Sequence, residues 1–584
     1  MDVSRNQYDV AIIGSGIAGS TLGAILARQG MKVVIFEAKS HPRFSIGESM
    51  ILETSETMRS LAEMYDVPEL AYFSSENYLP YIGTTHGVKR HFSYLHQTVG
   101  QPHQAEHSLQ AVIPKHPHGH ELHLYRQDVD AFLMTCAIRY GATVLQNRPV
   151  GEIEFDENGV TVTTARDEQY RAAYVVDAGG FRSLIADKFD LRDFDQQTHS
   201  RAIFTHMIDV PDFHDVATTQ QAADLPFSVA EGTLHHLFDG GWLWVIPFNN
   251  HAGSTNPLCS VGLMLDPRVN PPQNDLSAEE EFFGFIEGFP SIAVQFQGAR
   301  AVRDWTRTGR IQYSSKQTVG DRWALLGHAA GFIDPLYSKG LYISLTSVSI
   351  LAHHLLQASQ DGDYAREQFL PLEETTLAYL RSNDRLVANS YKAWGNTKLW
   401  RSYSVLWLLG AYTELVKLFC IRFDSTHNGQ LDAKEYIAQL QQLKLSGGGF
   451  AEYDRIADQI DAAMENVDVE SVAQVEAALA EISAAFASID WMPLPFQAIL
   501  NGRTHLPKNK LRLDLLKKDQ GFLRGGAYRE HFFGEHSLWQ VAGAFLQEAL
   551  RYSKPVLARK RRKQRLRPQT QLNRYPIEHL AFQR

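Results

Sequence analysis

"YDVAIIGSGIAG", residues Tyr8–Gly19, decides the fold. Tyr8–Ile13 is an apolar run that reads as a buried strand, and Gly14-Ser15-Gly16-Ile17-Ala18-Gly19 follows with no spacer. The next stretch, Ser20–Gly30, has the apolar spacing of a helix and stops at a glycine suited to a left-handed C′ position. "MKVVIFE", Met31–Glu37, then reads as a second buried strand that closes on an acid. This succession is a dinucleotide-binding fingerprint: Gly14 permits the tight turn, Gly16 lets a pyrophosphate approach the backbone, and Gly19 lets helix and strand pack closely. Ser15 and Ala18 lie in the same turn and join the candidate cofactor residues. The helix N-terminus favours phosphate, and Glu37 is placed to accept from ribose hydroxyls.

Bulk properties bound the rest. A chain of 584 residues exceeds one ordinary core, so two or three domains are expected. It is 44% hydrophobic and 21% charged, with no apolar run near the ~20 residues of a membrane span. The N-terminus has no secretory pattern, and the three cysteines, Cys136, Cys259 and Cys420, form no CxxC. A reducing, cytoplasmic setting is expected, without disulfides or a zinc knuckle. A net charge of −10 argues against general nucleic-acid binding, although "RKRRKQRLR" (559–567) is a local basic tail.

Two later segments favour FAD over NAD. "RAAYVVDAGGFRS" (171–183) reads as a buried strand ending at Asp177 before Gly179-Gly180. "DRWALLGHAAGFIDPLYSKGL" (321–341) reads as a strand, a glycine turn at Gly327, and a helix after Ser338-Lys339-Gly340. A flavin needs a second contact far from its adenine end, and that helix N-terminus, with Gly340 and Leu341, can face the flavin edge. The fold class expected is therefore α/β: a Rossmann-like FAD-binding domain of the monooxygenase type, a mixed β-sheet substrate domain and a C-terminal helical region. Residues 1–400 would interleave FAD segments (near 8–55, 120–185 and 320–360) with a substrate sheet (near 80–120 and 195–310). Residues 401–584 would form a mostly helical domain, with "SGGGF" (446–450) as a linker.

With these residues in place the chain resembles the flavin-dependent halogenases, a branch of the FAD-dependent monooxygenase fold. The resemblance rests on GSGIAG at 14–19, Arg43 and Gly47-Glu48-Ser49 in "PRFSIGES", Arg126 in "LYRQDVDAFL", DAGG at 177–180, and Asp334 in "GFIDPLYSKG" at 331–340. Its most specific element is "WLWVIP" (242–247), which matches a Trp-x-Trp-x-Ile-Pro signature and extends the likeness to about residue 400. The family implies reduced FAD delivered by a separate flavin reductase, and O2 as oxidant. Halide held by backbone amides becomes hypohalous acid, which travels a tunnel to a small-molecule or carrier-bound electron-rich aromatic. Trp242 and Trp244, on one face of a strand by alternation, would wall the flavin from the substrate.

Three positions depart from the family. The halogenase lysine, counted without gaps, falls on Thr85; Lys89 lies four residues on, displaced by about 13 Å along a strand, and serves only if the register differs. His328 stands where an acid is usual, with one acceptor in neutral imidazole. Lys339 stands beside the halide amides where a small residue is usual, and its ammonium is expected to aid halide capture, stabilise reduced flavin or bind an acidic substrate. The candidate catalytic set is thus Lys89, Thr85, Trp242, Trp244 and Lys339. Two readings stay open beside halogenation: a hydroxylase or dehydrogenase lacking the lysine, and a non-catalytic FAD-binding partner.

Two metal-like patterns rank lower. "HPHGHELH" (116–123) lacks HExxH spacing and is expected to border the substrate cavity or sit in solvent. "DSTHNGQLDAKE" (424–435) imitates an EF-hand loop, with few acids and no paired hand; a helix–turn–helix with an Asp cap is the plainer reading.

Overall fold

The computed structural model describes residues 6–115, 119–217, 224–443, 446–507 and 526–534, and a few positions between 536 and 543. The chain divides into a compact unit of residues 1–534 and a second unit of 535–584, in which the basic tail 559–567 lies outside the described residues.

The apolar runs read from the sequence become adjacent parallel strands. Gln7–Ile13 pairs on one side with Val33–Glu37 and on the other with Gln169–Asp177, which pairs in turn with Trp323–Leu325; Thr143–Gln146 extends the far edge. Buried on both faces, these strands carry near-continuous Val and Ile rather than alternation. Their registers (Ile13 against Phe36 and Asp177, Asp177 against Leu325) bring the strand ends level. Gly14, Glu37 and the turn after Asp177 therefore meet at one edge, where ligands of such sheets bind.

A second, mixed sheet of eight strands holds the tryptophan strand, Gly241–Pro247, at its centre, between Thr233–Phe238 and Cys259–Leu265. Leu243 and Val245 join an apolar core with Phe282, Phe289 and Phe296 of the covering helices. Trp242 and Trp244 emerge on the opposite face with ring centroids 5.8 Å apart, as alternation requires.

A short ladder, Gly87–Lys89 against Glu121–His123, leans on this sheet. His120 and His123 of the histidine-rich stretch are ordinary structural groups: His123 bonds the Pro247 carbonyl at 2.9 Å and Thr233 Oγ1 at 3.0 Å. His116 and His118 lie outside the described residues.

Long helices follow: Lys339–Asp361, Leu370–Ala393 and Thr397–Asp424. The last is apolar and long enough to cross a membrane, yet 72% of its most apolar window is buried within the protein. It begins at an Asn396 cap that accepts from Lys398 N at 3.0 Å. The EF-hand-like stretch is a β-hairpin, Thr426–His427 with Gln430–Leu431, turned by Asn428 and Gly429 at φ 51° and 78°. Asp432 caps the next helix through Glu435 N at 2.9 Å, and Glu435 pairs with His427 at 2.6 Å. Those groups are engaged in the hairpin and cap.

Candidate active site

The turn after the first strand is built by sterics. Gly14 sits at φ +96°, and a Cβ there would lie 2.6 Å from the Ala178 carbonyl oxygen; one on Gly19 would lie 2.1 Å from the Gly14 oxygen. No side chain fits either position. A Cβ on Gly16 would meet nothing nearer than Arg43 Nη2 at 3.8 Å, so the helix entrance is open. Around this opening stand Glu37, Arg43, Arg126 and Asp130. Glu37 accepts from Ser15 Oγ at 2.7 Å, Ser15 N at 3.2 Å, Lys39 N at 3.0 Å and Arg43 Nη2 at 3.0 Å. Burial raises its pKa, but the Arg43 charge and these donors bring it below the usual carboxylate range.

Arg126 holds Asp130 through Nε at 2.8 Å and Nη2 at 3.1 Å, and donates to the Ile46 and Gly47 carbonyls. It thereby clamps the Gly47-Glu48-Ser49 loop. Gly327, at φ +60°, packs so that an added Cβ would lie 3.7 Å from that of Ala18. Arg43 Nε is buried without a partner among the described residues. An open helix entrance, an unpartnered guanidinium N–H and an acid at the second strand's end fit a dinucleotide.

The loop Asp334–Gly340 lies at the other end. Ser338 adopts left-handed backbone, φ 56° and ψ 25°, a strained setting for a residue with a side chain. It launches the 23-residue helix Lys339–Asp361, whose first-turn amides, from Lys339, Gly340 and Leu341 onward, lack intrahelical acceptors. Gly340 is crowded by His328, whose Nε2 would stand 3.2 Å from a Cβ there. His328 therefore packs against the helix entrance at the position where the family's acid was expected.

Lys89 reaches this loop. Its ammonium donates to Ser49 Oγ at 2.8 Å and Ser338 Oγ at 3.3 Å, and lies 3.5 Å above the Phe92 ring. It is fully buried, and burial pushes its pKa well below the ordinary lysine range while Glu121 and Glu53 pull it back. Lys89, four residues beyond the gapless position, is thus the lysine that the fold brings beside the loop. Thr85 instead donates to Asp128 Oδ2 at 2.6 Å, and its carbonyl accepts from Asn256 at 3.0 Å; it takes no place beside the loop. Ser49, expected at the cofactor, bonds Lys89.

Lys339 is a second correction. Its ammonium is spent on Glu53 at 3.0 Å and Glu414 at 2.7 Å, and all three groups are buried. It ties the helix entrance to helices Leu52–Met64 and Thr397–Asp424 and is not available to a halide or an acidic substrate. Burial alone would lower its pKa, but Glu414 and Glu53 raise it above the ordinary lysine value. Asp334 is a third. Its carboxylate, a candidate for the cofactor by the motif, accepts from Leu336 N at 3.0 Å, Ser200 Oγ at 3.1 Å and Tyr391 OH at 3.0 Å, and so is engaged in shaping the loop. Burial pushes it up to about 7 against those donors. Trp242 Nε1 donates to the same Tyr391 hydroxyl at 3.1 Å, and Trp244 Nε1 to Ser260 Oγ at 3.1 Å. The tryptophan wall and the loop thus share an anchor, Tyr391, that no sequence pattern announced.

Comparisons with known proteins identify the family and fold. The FAD binding domain family matches residues 7–363. Monodechloroaminopyrrolnitrin halogenase PrnC of Pseudomonas fluorescens is 45% identical over 436 residues, 73% of this chain and 76% of that protein. The chain belongs to the flavin-dependent halogenases. Tetracycline 7-halogenase of Kitasatospora aureofaciens is 38% identical over 511 residues, 85% of this chain and 90% of that one. Among solved structures, halogenase PltM in complex with phloroglucinol and FAD superposes with a TM-score of 0.80 at 33% identity, over 85% of this chain and 99% of that chain.

This halogenase is an FAD-dependent oxidoreductase with halide as its inorganic substrate. Its glycine turn yields a direct prediction. Gly14→Ala combines positive φ with a 2.6 Å backbone clash, and is expected to cost about 1–3 kcal/mol and to yield protein with little bound flavin. Visible absorbance per mole of protein checks this; a normal flavin content would show that the turn can shift.

Proposed function

We propose that this halogenase acts on a free, electron-rich aromatic of phenol, pyrrole or indole type, and that Lys89 presents hypohalous acid to it. When bound and reduced, FAD supplies two electrons to O2, which then oxidises a halide to hypohalous acid. The chain's own residues do the rest. Glu37, Arg43, Arg126 and the glycine turn hold the dinucleotide, and the amides of the Lys339–Asp361 helix entrance hold the halide. Trp242 and Trp244 exclude bulk water and the aromatic from the flavin.

The observation that carries the reading is the Lys89 ammonium, 2.8 Å from Ser49 Oγ and 3.3 Å from Ser338 Oγ. The two serines use two of its three N–H donors, and the third, beside the Phe92 ring, would turn to bind and polarise the hypohalous acid. A free substrate is favoured over a carrier-bound one by the similar enzymes. PrnC and tetracycline 7-halogenase, at 45% and 38% identity, are named for free small molecules, whereas a peptidyl-carrier-protein chlorinase is 26% identical. Reduced flavin would come from a separate reductase in the cytoplasm. The helix Thr397–Asp424 would cap the substrate side, with Trp400 and Trp407 meeting Tyr94 at 5.5 and 5.6 Å.

Mass spectrometry of products tests the substrate class. With reduced FAD, air and bromide, free phenols and pyrroles should gain bromine in place of hydrogen in preference to the same rings on a carrier protein. Preference for the tethered ring would reverse the assignment, and oxygenated product alone would make the enzyme a hydroxylase. The wall has its own test. Trp242→Ala opens a cavity at a cost of about 3–5 kcal/mol, and should raise hydrogen peroxide release per flavin oxidised. Unchanged peroxide release would remove the exclusion role.

A further inference from the structure

Glu121 is a buried acid without an assigned task. In the ladder it is the cross-strand partner of Lys89, so both side chains leave the same face. Its Oε1 accepts from Ser55 Oγ at 2.8 Å, while Oε2 is buried and has no hydrogen-bond partner among the described residues. Leaving a buried carboxylate oxygen bare is costly, and such an oxygen calls for a reason.

The surroundings of Lys89 narrow that reason. The helix Leu52–Met64 contributes Glu53, which pairs with Lys339 at 3.0 Å, and Arg59, which pairs with Glu56 at 2.7 Å and whose charge also favours the Glu121 carboxylate. The partner strand contributes Glu121 and His123, the strand His91–His96 contributes His91, and the strand Thr233–Phe238 contributes His235. Burial pushes all three histidines down to about 3, so they are neutral near pH 7. From the loop come Ser338 and Lys339, the latter balanced by its own acids. Glu121, whose charge is shared with Arg59, is the acid that acts most strongly on Lys89.

We propose that Glu121, steadied by Ser55, is a positioning residue that keeps Lys89 protonated and directed at the loop, as a counter-ion set one strand away. The inference rests on Lys89 being the amine that takes up hypohalous acid. Distance is part of the design: Lys89 donates to the two serines and lies against the Phe92 ring, so Glu121 acts through its charge and takes up no N–H that the reactant needs. Burial pushes Glu121 up to about 7, so its charge supports the ammonium above that pH.

Glu121→Gln keeps an oxygen for Ser55 and removes the charge. Losing a negative neighbour disfavours the ammonium, so the Lys89 pKa should fall by about one unit. In the full-length, FAD-loaded enzyme with 13C-labelled lysine, the Lys89 Cε resonance, assigned by difference from Lys89→Arg, should titrate at that lower pH. The alkaline limb of kcat should move with it, and flavin affinity should not change. Glu121→Asp retains the charge and should restore most of the titration; it carries the same readout if the Gln variant fails to fold. A Lys89 titration unmoved in Glu121→Gln, or lowered equally in Glu121→Asp, overturns the proposal. Halogenation that survives Lys89→Met would overturn the reading of Lys89 instead, so the two failures are distinguishable.

Discussion

Lys89→Met is expected to lower halogenated product by about 10³-fold, the scale of losing a positioned proton donor, while flavin still binds and reoxidises. Methionine keeps most of the side-chain volume over Phe92 and deletes only the ammonium. Ser49 and Ser338 each lose a hydrogen bond, and those bonds contribute about 1 kcal/mol apiece. Folding should weaken only modestly, because the buried cation's own desolvation cost is removed too and Glu121, already pushed up to about 7, can take up a proton once Lys89 is gone. The control is Thr85→Val. It removes the bond to Asp128 at a cost of about 1 kcal/mol and should leave product formation intact. If Thr85→Val were the inactive variant, the register assigned to Lys89 would be wrong.

Lys339→Met should instead destabilise the protein strongly, by about 3–5 kcal/mol, because it strands two buried acids. Glu53 and Glu414 share this one ammonium at 3.0 and 2.7 Å. Burial already pushes Glu414 up to about 8 despite Lys339. Without the cation, the Glu414 carboxyl would stand still further above its unfolded value, as unpaired buried carboxyls do. Such groups bind more protons when folded, so the variant's stability should rise as pH falls from 8 towards 5. Thermal melting across that range checks both size and sign. Adding Glu414→Gln should recover part of the loss. A Lys339→Met protein as stable as wild type, yet deficient in halide use, would return Lys339 to the halide role expected from sequence.

The cofactor end of the site was legible because its chemistry is local. Gly14, Gly16 and Gly19 act within one turn, where no other residue fits two of them, and Glu37 ends the very next strand. Arg126 and Asp130, one helical turn apart, were equally open to a local reading. Lys89 was harder. Its place beside Ser338 is set by a ladder to Glu121–His123, a pairing that counting along the sequence does not show. Glu121 was hidden in a stretch read for its histidines. Lys339 looked like part of the halide turn because its partners lie 286 residues before it and 75 after it. Tyr391, which joins Trp242 to Asp334, sits in a helix with no pattern pointing to the site. Short-range backbone requirements are written in sequence, whereas long-range side-chain pairing depends on loop lengths that sequence periodicity does not encode.

One measurement tests the central claim most directly: a single turnover of enzyme loaded with reduced FAD, mixed with air, bromide and an electron-rich phenol, with product mass and flavin reoxidation followed together. Wild type and Thr85→Val should yield product heavier by bromine minus hydrogen, and Lys89→Met should reoxidise its flavin without that product. Brominated phenol from Lys89→Met at the wild-type yield, or no brominated phenol from wild type, would contradict Lys89 as the halogenating amine.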